Sequence, residues 1–296
     1  MDSSAFGQQT TVEPDPLVPG RYGTVVSDQW NAPLLPHGGV VTALALRAMA
    51  AELATPEQSL RSVTTVFAAQ VPPGPVDVDV VVLRRGRTMS QATATVRPVG
   101  ASTGHVATAV FGTSRRGFEF TDVTCPTARP PEQCPSFRDP LPEGVTGFPP
   151  ASFWERVESR VAMGHAPWHR WEPTSSERIY WYRFDDPPVD DEGQWDPLAL
   201  VALCDTMPGA VGERMGPDMP AWFGPSADLT VHVLGRATSP WLLSHNRARF
   251  AGDGYASVEM ELWDPERGLV AFATQVMFFS FPDGIPPGRR LTPPSL

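Results

Sequence analysis

The sequence predicts an α+β protein with two copies of one domain, each built from a central helix and an antiparallel sheet. The first observation is an internal repeat, in which residues 61–111 and residues 226–278 have the same layout. Each stretch contains four β-rich segments, separated first by a proline, then by a glycine-centred turn and last by a glycine. Thr65 and Val106 align with Thr230 and Val270. The second is a helical pattern that is apolar nearly all round, and the third is a length of 296 residues, which fits two ordinary domains.

The first half reads as a tail over residues 1–20 and a domain over residues 21–117. A helical pattern starts at His37, Gly38 and Gly39 and continues through VVTALALRAMAAELA to a stop before Pro56. Its apolar residues recur every four positions along two adjacent rows, which is typical of a buried helix. Strands are predicted at about 61–71, 76–84, 88–98 and 105–114, so a meander should wrap around the helix.

Residues 118–150 contain eight prolines and no sustained apolar period, which predicts a linker. The second domain then covers residues 151–296. It begins with the strand-like segments FWERVESRVAM and RIYWYRFDD, followed by one helix, WDPLALVALCDTM, that stops at Pro208. The four-strand pattern returns from about 226 to 282.

Composition limits the function classes. A net charge of −10 and a pI of about 5.1 argue against nucleic acid or an anionic membrane as the main partner. The N-terminus has neither the basic start nor the apolar run of a secretory signal, and the longest apolar run is too short to span a bilayer, so we expect a cytoplasmic protein. Three cysteines, an odd number, do not form a disulfide framework.

Asp205 stands out in the helical segment of the second half. It shares a helix face with Leu198, Val201 and Ala202, at spacings of seven, four and three residues. A carboxylate on an apolar stripe is costly to desolvate unless it is paired, and such groups often have raised pKa values and mark active sites. The alternative is an aspartate near a helix end that bonds a neighbouring turn.

Gln275 and Ser226 are the other polar anomalies. Gln275 lies in the segment VAFATQVMFF, which is apolar on both strand faces, so its carboxamide needs partners in the core. A structural glutamine bonded to backbone is the alternative. Ser226 opens the strand ADLTVHV after the loop AWFGP, where a simple turn is also possible, and Thr230 is the competing hydroxyl.

These segments resemble a known family. Their order and spacing are similar to those of acyl-CoA thioesterases of type II, the double-hotdog thioesterases. In the second half the matching segments are CDTMPGAV, PSADLTVHVLGRATSPWLL and GDGYASVEMELWDPERGLVAFATQ. In the first half they are HGGVVTALALRAM and VPPGPVDVDVVVLRRGRTMSQATATV. The resemblance covers nearly the whole chain except the tail and the linker. It implies two hotdog domains, each with a sheet wrapped around a central helix, whose sheets pair edge to edge and so cover exposed edge strands.

The resemblance also implies the site. In that family an aspartate on the second hotdog helix, a threonine or serine hydroxyl and a glutamine hold the attacking water. These positions fall on Asp205, Ser226 and Gln275, with serine where threonine is better known. The implied function is hydrolysis of an acyl-CoA or related acyl thioester, a small-molecule substrate. Neither a metal nor a cofactor is required beyond the coenzyme A of the substrate, and homo-oligomers through paired hotdog sheets are possible.

Further residues are candidates for binding the thioester. Backbone N–H groups at Gly38 and Gly39, which start the first helix, are candidates for the oxyanion, because glycine lets a ligand approach the backbone. His37 is a candidate for substrate binding, although it can equally cap or pack. Arginines are the candidates for binding the phosphates of coenzyme A. They are Arg84, Arg85 and Arg87 at one hairpin, and Arg247 and Arg249 on one strand. Each of them can equally be a solvated surface residue.

Two other functions stay open at this stage. A hotdog hydratase or dehydratase acting on an enoyl thioester usually needs an Asp–His pair near an N-P-x-H type segment, which this sequence lacks. A non-catalytic acyl-thioester-binding protein would have the same fold and cleft without hydrolysis.

Overall fold

A computed structural model describes residues 4–143, 151–166, 168–219 and 221–282. Its helices are α1 (Ala5–Gln9), α2 (Gly38–Leu53), α3 (Ser152–Arg156), α4 (Pro197–Cys204) and α5 (Gly209–Met215). The strands of the first half are β1 (Glu13–Pro14), β2 (Arg21–Val26), β3 (Ser59–Phe67), β4 (Gly74–Arg84), β5 (Met89–Pro98) and β6 (His105–Gly112). Those of the second half are β7 (Val157–Met163), β8 (Glu177–Phe184), β9 (Asp228–Val233), β10 (Leu242–Gly252), β11 (Tyr255–Asp264) and β12 (Gly268–Phe278).

The strands of the described residues form one antiparallel sheet in the order β1-β2-β4-β5-β6-β3-β9-β12-β11-β10-β8-β7. The two halves meet where β3 pairs with β9, and the Oγ1 atoms of Thr64 and Thr230 are 3.0 Å apart at the centre of that ladder. The sequence-based fold class, a double hotdog of α+β type with sheets paired edge to edge, is confirmed. The pairing satisfies the backbone groups of two strands that would otherwise be exposed edges.

The repeat has a constant offset of 166 residues, the separation of Thr64 and Thr230. The pair Thr64–Thr108 in β3 and β6 recurs as Thr230–Thr274 in β9 and β12. Our alignment of Thr65 with Thr230, and of Val106 with Val270, is therefore wrong by one and two residues. Thr65 is buried and faces the core, whereas Thr230 faces outward, and a shift of one residue exchanges the two faces of a strand.

The central helix α2 is buried nearly all round, as its sequence predicts. Val40, Leu44, Ala48 and Met49 are fully buried between the sheet and α4. The helix ends at Ala54, which adopts the left-handed conformation (φ 51°, ψ 42°), and its N–H donates to the carbonyl of Ala50. This end is close to the predicted stop before Pro56.

The second central helix is broken, which differs from the single helix we predict. Helix α4 begins with the side chain of Asp196 accepting from the N–H of Leu198, and it ends at Cys204. After three more residues, Pro208 precedes the short helix α5, which begins at Gly209. A proline suits the start of a helix because it has no N–H to satisfy, so Pro208 opens a new helix rather than ending the element.

The segment predicted as a tail is folded from Ser4 onward. The hydroxyl of Ser4 accepts from the N–H of Gly7 and so caps α1. Phe6 is 0 % exposed, and its ring packs edge-on against Trp30 and Phe184, with centroids 5.8 and 5.7 Å away. The sequence predicts a tail here because this short polar segment has one aromatic residue and no apolar periodicity. In the folded chain the buried ring of Phe6 anchors the segment.

The described part of the Pro-rich linker, up to residue 143, crosses the outer face of the sheet in the second half of the chain. The N–H of Phe137 donates to the carbonyl of Ser159 at 3.1 Å. Cys134 packs with Ile179, Trp181 and Leu243 in a small cluster on that face. The last seven residues of the predicted linker, 144–150, and the end of the second domain, 283–296, lie outside the described residues. No helix in the described ranges combines the length and hydropathy needed to cross a bilayer.

Candidate active site

Asp205 lies at the C-terminal end of α4, where three other elements reach it. Its Oδ2 accepts the N–H of Gly39, in the first turn of α2, at 2.8 Å. Its Oδ1 accepts from the Nε2 of Gln275 on β12 at 2.6 Å. The Oγ of Ser226, two residues before β9, is 3.4 Å from the same Oδ1. Residues far apart in sequence thus converge on one carboxylate.

Gln275 links the hydroxyl to the carboxylate. It lies on the buried face of β12 between Ala273 and Met277 and is 2 % exposed. Its Nε2 donates both to Asp205 and, at 2.6 Å, to the Oγ of Ser226. Its Oε1 has no hydrogen-bond partner in the described part of the chain, so this atom remains available as an acceptor.

The geometry distinguishes the two candidate hydroxyls. Ser226 precedes β9 on the side of the sheet that faces the helices, with its Oγ beside Asp205 and Gln275. Thr230 lies further along β9 with its Oγ1 bonded to Thr64 on the outer side. Regular alternation would place residues 226 and 230 on the same face of the strand. Because β9 begins only at Asp228, Ser226 lies outside the regular strand and can face the other way, so the sequence leaves this choice open.

Burial raises the pKa of the Asp205 carboxyl above its usual range, because a charged group is poorly solvated there. The Gly39 N–H and the side chains of Gln275 and Ser226 oppose this rise, because hydrogen bonds to the carboxylate favour its ionised form. A buried carboxyl with a raised pKa and convergent donors is the kind of group that accepts a proton in catalysis.

His37 packs beside the carboxylate without bonding it. Its Nδ1 is 3.7 Å from Oδ2 of Asp205, beyond hydrogen-bond distance. Its ring stacks on Phe153, with centroids 4.0 Å apart and an interplanar angle of 10°. Burial lowers the pKa of His37, so the imidazole is neutral at pH 7.

Gly38 and Gly39 allow the close approach of α2 to the second half. A Cβ at Gly39 would lie 2.7 Å from the Cα of Ala202 in α4. A Cβ at Gly38 would lie 2.7 Å from Oδ2 of Asp205 and 2.8 Å from a ring atom of Phe67. Any side chain at either position would separate the helix start from the carboxylate.

Family models match both halves of the chain. The model of the acyl-CoA thioesterase N-terminal domain matches residues 26–112, and that of the acyl-CoA thioesterase C-terminal domain matches residues 131–279. The chain belongs to the acyl-CoA thioesterase family. It is therefore a thioester hydrolase, as the resemblance implies, and the site just described lies within the matched residues.

Solved structures share the fold of this thioesterase. A conserved protein of unknown function with a hot dog fold from Alicyclobacillus acidocaldarius is 24% identical, with a TM-score of 0.75, over 95% of this chain and 99% of that one. An acyl-CoA thioesterase II from Mycobacterium marinum is 20% identical, with a TM-score of 0.71, over 95% of this chain and 100% of that one. At these identities the likeness concerns the fold. A search of curated proteins finds no match.

Two residues beside this candidate site are not among those we predict. The Phe67 ring lies against Gly38 and contacts His105 edge-on, with centroids 4.8 Å apart. Burial lowers the pKa of His105 to about 4, so it is neutral. Phe67 and His105 lie at the ends of their strands. There the pattern of apolar and polar residues in the sequence does not indicate which side chain lies against the start of a helix packed on the sheet.

The arginines predicted to bind phosphate are not beside Asp205. Arg84, Arg85 and Arg87 are exposed at the turn between β4 and β5. Arg85 donates to the carbonyl of Glu52, in the last turn of α2, whereas Asp205 contacts the first turn, so roughly 20 Å of helix separates them. Arg247 and Arg249 both form ion pairs with Glu259. A cluster of three or more histidine, cysteine or acidic residues suited to a metal is absent from the residues described.

Proposed function

We propose that this thioesterase hydrolyses acyl-CoA thioesters with a water that Asp205 activates and that Ser226 and Gln275 orient. The observation that carries the proposal is the convergence of a carboxylate, a hydroxyl and a carboxamide within 2.6–3.4 Å of one another. A thioester is an activated acyl group, so the protein needs to supply a positioned nucleophile and charge stabilisation rather than a strong electrophile.

In the proposed reaction, the water oxygen attacks the thioester carbonyl carbon while Asp205 accepts a water proton. The carbonyl oxygen takes up negative charge in a tetrahedral intermediate. The C–S bond then breaks, and the proton on Asp205 passes to the departing sulfur. The products are the free acid and the free thiol, and the carboxylate is regenerated.

The start of α2 is the proposed stabiliser of the oxyanion, because helix N-termini present N–H groups and positive potential to an anion. The N–H of Gly39 is already bonded to Asp205. The oxyanion role therefore falls on Gly38, while Gly39 orients the carboxylate. Phe67 and Phe153 border this start and provide an apolar wall that excludes water from the reacting atoms.

The substrate in this proposal is a small acyl thioester of fatty acid metabolism, and coenzyme A enters only as part of it. Neither a metal nor a bound cofactor takes part in the proposed steps. The net charge of −10 disfavours nucleic acid and anionic membranes as partners.

The decisive test is thiol release from short, medium, long and aromatic acyl-CoAs. Asp205→Asn should lower kcat by about 10²–10⁴-fold, the usual contribution of a general base. Ser226→Ala should lower kcat, whereas the matched variant Thr230→Ala, which removes a hydroxyl from the outer face, should not. Unchanged hydrolysis by Asp205→Asn would remove the mechanism, and no hydrolysis by the unmodified protein would favour a binding role.

The hydratase alternative is favoured by one observation, which is that His37 and Asp205 lie next to each other, although they are not hydrogen-bonded. The same protein should therefore be assayed for hydration of an enoyl-CoA. We expect thiol release without hydration, because His37 is neutral, buried and stacked on Phe153. Hydration faster than thiol release would reverse this assignment.

A further inference from the structure

The 166-residue repeat places a counterpart of the active site in the first half. The positions that correspond to Ser226 and Gln275 are Leu60 and Ala109, and both are buried apolar residues. Neither can bond a water or a carboxylate. The counterpart therefore has the same place in the sheet but lacks the groups that the proposed hydrolysis uses.

Next to Leu60, a cavity of about 470 Å³ opens at the surface. Its polar lining comes from Arg61, Thr88, Thr113, Ser114, Arg115 and Glu119. The Nε of Arg61 donates to the carbonyl of Gly112 at 3.1 Å, and the N–H of Thr113 donates to the carbonyl of Thr88 at 3.0 Å. These bonds hold the ends of β3, β5 and β6 together beneath two guanidinium groups and three hydroxyls, with Glu119 as the one carboxylate in the lining.

Arginines without a carboxylate partner line this cavity or lie close to its lining residues in the sequence. All 23 basic residues of the chain are arginines. In the part of the chain that the structure describes, nine arginines form ion pairs with carboxylates. Within the described ranges, none of the six arginines at this corner has a carboxylate at ion-pair distance. Arg61 and Arg115 are in the lining, and Arg116 follows Arg115. Arg84, Arg85 and Arg87 lie at the end of β4 and in the turn that leads to the lining residues Thr88 and Met89.

An uncompensated cluster of arginines is unexpected in a chain with a net charge of −10. It contributes no ion pair to folding, and the like charges repel one another. Guanidinium groups bind phosphate oxygens in bidentate fashion, and hydroxyl donors complement them. The chemistry of the lining therefore fits a phosphate group.

We infer that this corner is a non-catalytic binding site for a small phosphate-bearing molecule, separate from the Asp205 site. Arg61 and Arg115 contact the phosphate, and the hydroxyls of Thr88 and Ser114 complete its shell. The arginines of the β4–β5 turn add long-range attraction. The separation follows from β3, because Arg61 lies at the cavity whereas Phe67, at the far end of the same strand, lies against Gly38 beside Asp205. Roughly 20 Å of strand therefore lies between the two sites.

The test is calorimetric titration of the full chain with inorganic pyrophosphate at low and high salt. Binding should weaken with salt and should persist in Asp205→Asn, which leaves the corner intact. Arg61→Gln/Arg115→Gln should weaken binding at least about tenfold, because two charge-assisted contacts are lost. The matched variant Arg170→Gln/Arg214→Gln removes the same charge from exposed or part-buried positions elsewhere and should bind like the unmodified protein.

Acyl-CoA kinetics distinguish the two sources of phosphate. If the site is separate, the Arg61→Gln/Arg115→Gln variant keeps its kcat and KM, and pyrophosphate does not compete with acyl-CoA. A KM that rises in this variant alone would assign the arginines to the substrate's own phosphates and overturn the separate site. The separate site would also be overturned if millimolar pyrophosphate did not bind in low salt, or if the Arg61→Gln/Arg115→Gln variant bound pyrophosphate as well as the unmodified protein does. Thermal unfolding of each variant verifies that it is folded.

Discussion

At the scale of single residues, the site is defined by opposing effects on the pKa of one buried carboxyl group, that of Asp205. Burial raises the pKa of Asp205, and the donors from Gln275 and Gly39 lower it again. A base is most effective when its pKa lies near the working pH and its ionised form is still populated. The opposing effects of burial and hydrogen bonding therefore set the pH at which the carboxylate works.

The pH profile of kcat/KM should show this balance. The base form of Asp205 is active, so activity should be present above its pKa and should fall as the pH decreases through it. We expect the acid limb to lie above the ordinary aspartate value of about 3.9. Gln275→Met removes a donor that stabilises the ionised form, so its acid limb should shift to higher pH.

Thr230→Ala serves as the control, because its hydroxyl bonds only Thr64 in the described residues, and its acid limb should coincide with that of the unmodified protein. An acid limb that does not move in Gln275→Met would show that another group titrates.

At the scale of elements, the break between α4 and α5 positions the end of α4 that carries Asp205. The two residues after Asp205 are held through their carbonyls by side chains from the sheet. Arg178 on β8 donates to the carbonyl of Thr206, and Asn246 on β10 donates to that of Met207, both at 2.9 Å. The hydroxyl of Thr206 also bonds Tyr182. The break is a fixed turn rather than a loose connection.

Replacing Asn246 should test whether this turn positions the carboxylate. Asn246 is 0 % exposed, and its Oδ1 has no partner in the part of the chain described. Asn246→Leu removes the bond to Met207 together with that unpaired acceptor, so we expect little net change in the free energy of unfolding. Misplacement of Asp205 should lower kcat by about tenfold or more, with KM nearly unchanged.

Steady-state kinetics well below the melting temperature, with chemical unfolding in parallel, check this expectation. The conservative variant Asn246→Gln should recover part of kcat if the amide donor is what matters. Loss of stability in proportion to loss of kcat would instead indicate a structural role alone.

Helix α1 makes a separate contribution, because a single aromatic side chain joins it to both halves. Phe6 packs between Trp30 of the first half and Phe184 of the second. Phe6→Ala should lower the free energy of unfolding by about 3–5 kcal/mol, the usual cost of truncating a buried phenylalanine. Phe118→Ala, at a fully exposed position in the linker, should cost almost nothing. Urea unfolding measures both, and equal effects would show that α1 is not integrated in the core.

At the scale of the whole molecule, the pseudo-symmetry of the sheet has two consequences. Only one of the two equivalent positions carries the polar groups of the candidate active site, so the chain has one proposed centre of hydrolysis. The outer face of the central strands, in turn, is mostly uncharged on both sides of the Thr64–Thr230 pair, although it includes the carboxylate of Asp228 opposite Val66. Its uncharged residues are Thr64, Val66, Thr93, Thr95, Val106, Thr108, Val110, Thr230, His232, Phe272, Thr274 and Val276.

A second copy of the chain is the expected occupant of this face, because a mostly uncharged surface that lies on the pseudo-twofold axis of the sheet can pack against its own copy. We predict a dimer by light scattering after gel filtration. Thr64→Lys/Thr230→Lys introduces two charges at the centre and should yield monomers. Arg236→Gln, an exposed change away from the face, is the control. A monomeric unmodified protein would contradict the prediction.

The sequence by itself determined the fold class, the duplication, and two of the three polar groups of the site. Asp205 and Gln275 were identifiable because each lies among apolar residues at the spacing of its own element, which is local information. Helix α2 was predictable for the same reason, since its apolar residues recur on all sides. The predicted linker boundaries over residues 118–150 and the role of each site residue stay predictions.

Tertiary structure alone decided which hydroxyl reaches the carboxylate, where the second helix breaks, what anchors the N-terminal segment and which strand positions are equivalent. Each of these depends on contacts between distant segments. The choice of Ser226 over Thr230 follows from the register of β9 against β3 and β12, and the place of Phe6 follows from two aromatic rings in different halves. Local periodicity indicates that a side chain is buried, but only the packed chain determines which partner it meets.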